Sequence, residues 1–391
     1  MSAAAAVRPR TTSLSQLAIL AGAGLAVAAT LWEIDFFLRP GLGEVLKGLA
    51  HHAFVLALLL ILTSRSRTVS LPMLGIFWLL GVWAVYSLAY FLEEPMASRY
   101  GAGSVDEFVP IWWAPFAEET AKLLPVALFL LLAGRRGGRQ PGMSDGLLLG
   151  FMVGAGVSFV EDAHAREVFV SGSGWTADTP WTAIFPTISP IGSGVFALNH
   201  AIWASLSGLT IGAALMLRQW RWTWPIALVG PLLAVSNHAT GNSLTGLAGL
   251  LARGRVSEPF ATIRDVTDGG RLPLLVLVVG AVAVAAGDWL ILRWVSRLDR
   301  MFPALSSAEF ARLVRQGNSR PGFARLVAAE RYVRLRRSAY FAGWRMKMAG
   351  ANPEVSPSQF DELTGLLTRA RTTSTGPGSD FPLLPEAGSS A

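Results

Sequence analysis

The sequence predicts an all-α protein: a polytopic transmembrane bundle of about eight helices, followed by a basic cytoplasmic helical tail. Three observations carry that expectation. Of 391 residues, 52% are apolar and only 15% charged, with a mean hydropathy of +0.45; a soluble domain is roughly 25% charged. Apolar runs of about 20 residues, the length that crosses about 30 Å of hydrocarbon, recur along the chain. The 40 Gly, 22 Pro and 14 Trp suit helices in lipid, which tolerate Gly and Pro and anchor at the headgroups through Trp. Cys is absent. Disulfides, thiolate metal sites and cysteine nucleophiles are therefore excluded, and a metal would have to sit on His, Glu, Asp or Asn.

Taken in order, residues 1–13 form a short cytoplasmic N-terminus and 14–294 the transmembrane domain. The spans fall near 14–32, 45–62, 71–92, 111–132, 144–164, 193–217, 224–251 and 272–294. The first follows Arg8 and Arg10 and contains Ala28 and Ala29, so it also admits a cleavable signal peptide, which would leave seven spans. The second is short and opens on His51 and His52, expected at the interface. Within the fifth, Gly146, Gly150 and Gly154 form a small-residue stripe for close helix approach. Asp288, near the inner end of the eighth, is expected to pair locally with Arg293.

Orientation follows from retention of Lys and Arg in the cytoplasm. Arg8 and Arg10, Arg65 and Arg67, Arg135, Arg136 and Arg139, Arg218 and Arg221, and the tail all fall on one side. The acidic loop with Glu93, Glu94, Asp106 and Glu107, and the Trp/Ser/Thr/Pro-rich stretch 165–192, fall on the other. Only the loop 252–271, with Arg253, Arg255, Arg264 and Arg271, runs against the pattern. Both termini are thus expected in the cytoplasm of a multi-pass protein of the cytoplasmic membrane.

The net charge of +7 lies wholly in the tail: 18 Lys and Arg balance 18 Asp and Glu before Arg293, against 15 and 8 from there on. That excess is expected to mark the cytoplasmic side and touch anionic lipid rather than nucleic acid. Ser306 and Glu309 make a capping-box pattern, and apolar residues recur at helical spacing among the arginines. Residues 295–371 therefore read as an Arg-rich amphipathic helical region near the inner leaflet, with a short helix over 356–371, and 372–391 as a disordered tail.

Charged side chains inside a span cost about 2.5–3.5 kcal/mol each on insertion scales, so they call for a reason. The fourth span carries Glu118, Glu119 and Lys122; the fifth ends in Glu161, Asp162 and His164; the sixth opens with Asn199 and His200; the seventh carries Asn237, His238 and Asn242. At 1.5 Å of rise per residue, Glu118, Glu119 and His200 lie roughly 10 Å below the outer boundary, with Glu161 shallower and His238 deeper. One layer on four helices reads as one site. Glu118 and Lys122, four apart with the carboxylate first, are placed to pair, leaving Glu119 free about 100° around the helix. His238 and Asn242 share a face. Two histidines and carboxylates in a dry cavity suit Zn²⁺ with an open water position, a remaining Glu acting as general base and Asn242 steadying an oxyanion. Activation of water by Glu and His without metal is equally compatible with the spacing. His164 reads as interfacial.

At these residues the sequence resembles the PrsW family of intramembrane proteases, related to the CAAX-prenyl and bacteriocin-processing membrane proteases. Four ordered blocks over about 70–250 carry the likeness: Glu118-Glu119-x-x-Lys122; Phe159 with Glu161 and Asp162; His200 leading to Gly208; and His238 with Asn242. Asp162 stands where the family commonly has Asn, and Thr240 and Gly241 replace an aromatic residue. The resemblance implies hydrolysis of a peptide bond in or beside the membrane of single-pass proteins such as anti-sigma factors. It also implies Glu119 or Glu118 as catalytic base, and His200, His238 and Glu161 as the set holding metal or water.

Two other classes compete. A proton-coupled transporter also uses intramembrane Glu, His and Lys, but it would spread them over several depths, and no inverted repeat is visible. A non-catalytic polytopic scaffold explains the tail and leaves the cluster unexplained.

Overall fold

The computed structural model describes residues 42–100, 113–133, 140–169, 188–191, 195–218, 223–245, 265–298 and 320–348, with a few isolated positions besides. The expected first span, the capping box at Ser306 and Glu309, and the stretch 372–391 lie outside the described residues.

Two helices form the centre of the bundle, α5 (Met143–Phe169) and α6 (His200–Met216). Every residue of α6 is buried, as is every residue of α5 from Met143 to Val160. The glycine stripe explains how the pair packs. A Cβ on Gly146, Gly150 or Gly154 would strike the carbonyl oxygens of Gly208, Ala204 and His200 respectively. Only hydrogen at these positions lets the two backbones touch.

Around that pair stand α1 (Leu42–Leu62), α2 (Leu71–Leu79), α3 (Tyr86–Tyr100), α4 (Ala114–Ala133), α7 (Ile226–Thr245) and α8 (Arg271–Leu298). A π-helical turn, Leu80–Val85, joins α2 to α3, so the helix runs unbroken past Glu93 and Glu94, which the sequence placed in a loop. Three stretches are long and apolar enough to cross a membrane, Leu71–Met96, Met143–Glu161 and Asp268–Ser296, with Leu49–Leu62 and His200–Met216 as shorter apolar helices among the described residues. Outward faces carry Phe91, Leu128, Leu232, Leu275 and Val279, each more than 45% exposed, as surfaces that meet lipid must. His52, expected at the interface, is instead buried edge-on to Phe151 of α5.

A hairpin departs from the helix-only expectation. β1 (Ile188–Ile191) pairs antiparallel with β2 (Val195–Leu198), Ile188 opposite Leu198 and Ile191 opposite Val195. The expected sixth span began at 193, yet the helix begins at His200. Pro190 lacks an N–H, and Gly192 and Gly194 disfavour helix, while the β-branched residues suit a ladder. Asn199 then starts α6 as its N-cap, accepting from the Ile202 N–H at 3.3 Å.

At the opposite end, two fully buried carboxylates gather main-chain donors. Asp288 of α8 accepts from the Met143 N–H (2.9 Å), the Ser144 N–H (2.8 Å) and the Ser144 hydroxyl (2.6 Å). It therefore caps α5 and has no ion pair with Arg293, whose guanidinium lies over Trp289 instead. Asp145 accepts from Thr68, Val69 and Gly142 and clamps the loop before α2.

The helix α9 (Arg320–Met348) closes this end. Its Tyr340, Phe341 and Trp344 are buried against Met143, Leu147, Ile291 and Leu292. The Ser338 hydroxyl donates to the Gln140 carbonyl at 3.0 Å, and Arg337 donates to the Arg67 carbonyl at 3.1 Å. Burial, and then repulsion from Arg67, pull the Arg337 guanidinium down to about 10, so it stays charged at neutral pH.

Candidate active site

Four helices converge at the end of the bundle opposite α9. From α4 come Glu118, Glu119 and Lys122, which lie within one helical turn. Glu161 comes from α5, His200 from the first position of α6, and His238 and Asn242 from α7. Pro125 lies inside α4 below the carboxylates and does not end the helix.

The Lys122 ammonium sits at the centre. It donates to Glu119 Oε1 at 2.7 Å and to Glu118 Oε2 at 3.2 Å, and it meets His200 Nδ1. The expected division, Glu118 paired and Glu119 free, is therefore corrected. Lys122 binds both carboxylates and holds Glu119 more closely. Its long side chain reaches back along α4 from a position 1% exposed, so three and four residues of separation are both within range.

Glu119 is the sheltered carboxylate, its side chain 2% exposed against 13% for Glu118. Its Oε1 also faces His238 Nδ1 at 3.1 Å, whereas Oε2 is buried with no hydrogen-bond partner among the described residues. His238 Nε2 stands 3.9 Å from Glu118 Oε2. His200 Nδ1 stands 3.5 Å from the same oxygen, and its Nε2 meets Glu161, which at 33% exposed forms the rim. Asn242 is half-buried one turn beyond His238 on the same helix.

The donor set fits a divalent cation. Glu118, Glu119, His200 and His238 each offer a ligand atom, all within 4.8 Å of one another. Imidazole nitrogen and carboxylate oxygen are the donors Zn²⁺ takes, and the orphaned Glu119 Oε2 is a buried acceptor still lacking a partner. The ammonium already held between the carboxylates marks the spot as one built for positive charge.

One residue that sequence reasoning passed over, Trp203, completes the site. The Trp203 indole stacks on the His238 ring, centroids 4.1 Å apart and planes 12° from parallel. Its N–H donates to Asn237 Oδ1 at 2.9 Å, and its ring meets the edge of His200 at 4.9 Å. A Trp in an apolar span reads as a lipid anchor. The overlooked clue was its place three residues after His200, which puts both on one helix face.

Comparison with curated proteins and with solved structures gave no match. Comparison with family models gave one whose extent, residues 69–263, runs from just before α2 to beyond α7 and so contains every residue of the cluster. The match is described as PrsW family intramembrane metalloprotease. The protein is accordingly an integral membrane protein, and its segment 69–263 belongs to the PrsW family of intramembrane metalloproteases.

Proposed function

We propose that the protein hydrolyses a peptide bond within or beside the transmembrane segment of a single-pass membrane protein, in the manner of anti-sigma-factor processing. The observation that carries this reading is the convergence of Glu118, Glu119, His200 and His238, whose ligand atoms lie within 4.8 Å of one another.

In this reading His200 and His238, with a carboxylate from Glu161 or Glu118, hold the cation, and Glu119 is the base. When bound, a divalent ion such as Zn²⁺ supplies Lewis acidity to the water and the scissile carbonyl. The geometry of Glu119 suits its part. Oε1 is engaged by Lys122 and His238, and Oε2 is left to take the proton as the water oxygen attacks the carbonyl carbon. That proton then passes to the amide nitrogen as the C–N bond breaks, releasing carboxylate and amine. Lys122 balances the carboxylates, and Asn242 donates its side-chain N–H to the developing oxyanion.

The reading includes eight crossings with both termini in the cytoplasm of the cytoplasmic membrane, so that 1–13 and 295–391 face inward. The site then lies in the outer half of the bilayer. Substrate would be cut near the extracytoplasmic end of its span, and the arginine-rich region after 295 would contact anionic lipid.

The test is metal analysis of purified wild-type, Glu119→Ala and His238→Ala proteins, with cleavage of co-expressed single-pass proteins followed in the same set. Near-stoichiometric zinc that is lost in His238→Ala, with cleavage lost in both variants, supports the metalloprotease. Metal-free wild-type protein whose cleavage still needs both residues assigns water activation to Glu and His alone. Cleavage unchanged in both variants overturns the proposal.

A further inference from the structure

We infer that Trp203 is a positioning residue of this site: its indole fixes the plane of the His238 ring, and so aims both imidazole nitrogens at the Glu118 and Glu119 carboxylates. The inference rests on the protease reading for its kinetic consequence, but its structural content stands apart from it.

A histidine ring on a helix turns freely about its terminal torsion, which is broad and roughly two-fold. His238 needs one setting. Only one ring plane brings Nδ1 to 3.1 Å from Glu119 Oε1 and Nε2 to 3.9 Å from Glu118 Oε2. Neither carboxylate holds that plane alone, since each is also bound by Lys122. A face-to-face contact at 4.1 Å and 12° does, because tilting the imidazole would drive its edge into the indole.

The indole is itself immobilised. It is 5% exposed, its N–H is tied to Asn237 Oδ1 at 2.9 Å, and Asn237 immediately precedes His238 on α7. One side chain of α6 thus grips α7 twice, at the ring of His238 and at the side chain before it. The same indole meets His200 at 4.9 Å, and the two imidazoles lie 5.0 Å apart and nearly perpendicular, at 83°. Trp203 therefore sets the angle between the two histidines, and that angle decides whether their nitrogens address one point.

The experiment uses the full chain in detergent, comparing wild type with Trp203→Phe and Trp203→Leu. Phe and Leu are both apolar and smaller than Trp and both lose the indole N–H, but only Phe retains a ring to stack. Three quantities are read: the rate of His238 acylation by diethyl pyrocarbonate, mapped by mass spectrometry; zinc affinity; and kcat and KM on a reconstituted single-pass substrate. In Trp203→Leu, His238 acylation should rise severalfold, and zinc affinity and kcat should each fall about tenfold or more. KM should stay within about twofold, and Trp203→Phe should recover most of each loss.

Equal effects of Phe and Leu on all three would reduce Trp203 to core packing and overturn the inference. So would wild-type acylation of His238 in Trp203→Leu. If wild type cleaves nothing while acylation still separates Leu from Phe, the protease reading fails and the clamp stands. If wild type cleaves and the variants match it in kcat and labelling, the clamp fails and the protease reading stands.

Discussion

Glu119 and Lys122 show how far a single residue can be read before folding. That two carboxylates and an amine sit on one turn of an apolar helix is plain from the sequence. Which carboxylate the amine holds more closely is not, because it depends on how α6 and α7 enclose the turn. Glu119→Gln keeps the shape and removes the proposed base, so cleavage should fall about 10²–10⁴-fold while thermal stability changes little; undiminished turnover would reassign the base. Lys122→Met removes the ammonium held between Glu118 and Glu119 and leaves a buried and a partly buried carboxylate without it. A loss of roughly 3–5 kcal/mol is expected, read as a fall in unfolding temperature in detergent. An unchanged transition would show that the ammonium adds nothing net to the stability of the fold. Trp203 was illegible for a different reason. Its partner His238 lies 35 residues away on another helix, and nothing local separates a stacking indole from a lipid anchor.

Among the elements, α5 was the most legible, because Gly146, Gly150 and Gly154 state at four-residue spacing which face must meet a neighbour. The sequence did not say that the neighbour is α6, or that contact is backbone to backbone. Gly150→Leu would place a side chain against the Ala204 carbonyl. It should destabilise by about 1–3 kcal/mol or more, with activity falling in step; full stability would show that the two helices can separate without cost. The hairpin before α6 was missed because 193–198 is apolar enough to continue a span, while pairing with 188–191 is a tertiary event. Asp288 misled for the same reason: Arg293 is five residues on, and the true partners at Met143 and Ser144 are about 145 residues back. Asp288→Ala orphans two buried main-chain donors, the Met143 and Ser144 N–H groups, at the start of α5. Each costs about 1–3 kcal/mol when left unmade, so a marked drop in unfolding temperature is expected, and a neutral result would show that water reaches that end of the helix.

At the scale of the whole molecule, membrane character and the grouping of the site were legible because lipid allows so few solutions: helices, with charges only where they serve one another. The sidedness of the chain has a direct measurement. With no native Cys, a thiol introduced as Ser171→Cys or Ser379→Cys is the only one to label. A membrane-impermeant maleimide should modify the first in intact cells and the second only after permeabilisation; the reverse pattern would invert the proposed topology. The capping of α5 by Asp288 has a wider meaning here. The family segment ends at 263, yet the carboxylate that starts its central helix comes from α8, and α9 packs over that same end. The heritable module and the self-sufficient module are different lengths of chain. A homologue cut to the family boundary would keep all seven residues named for the chemistry and lose the anchor of the helix that bears Glu161. Loss of function on such trimming would therefore report on scaffolding, and it should not be taken as a sign that the tail takes part in hydrolysis.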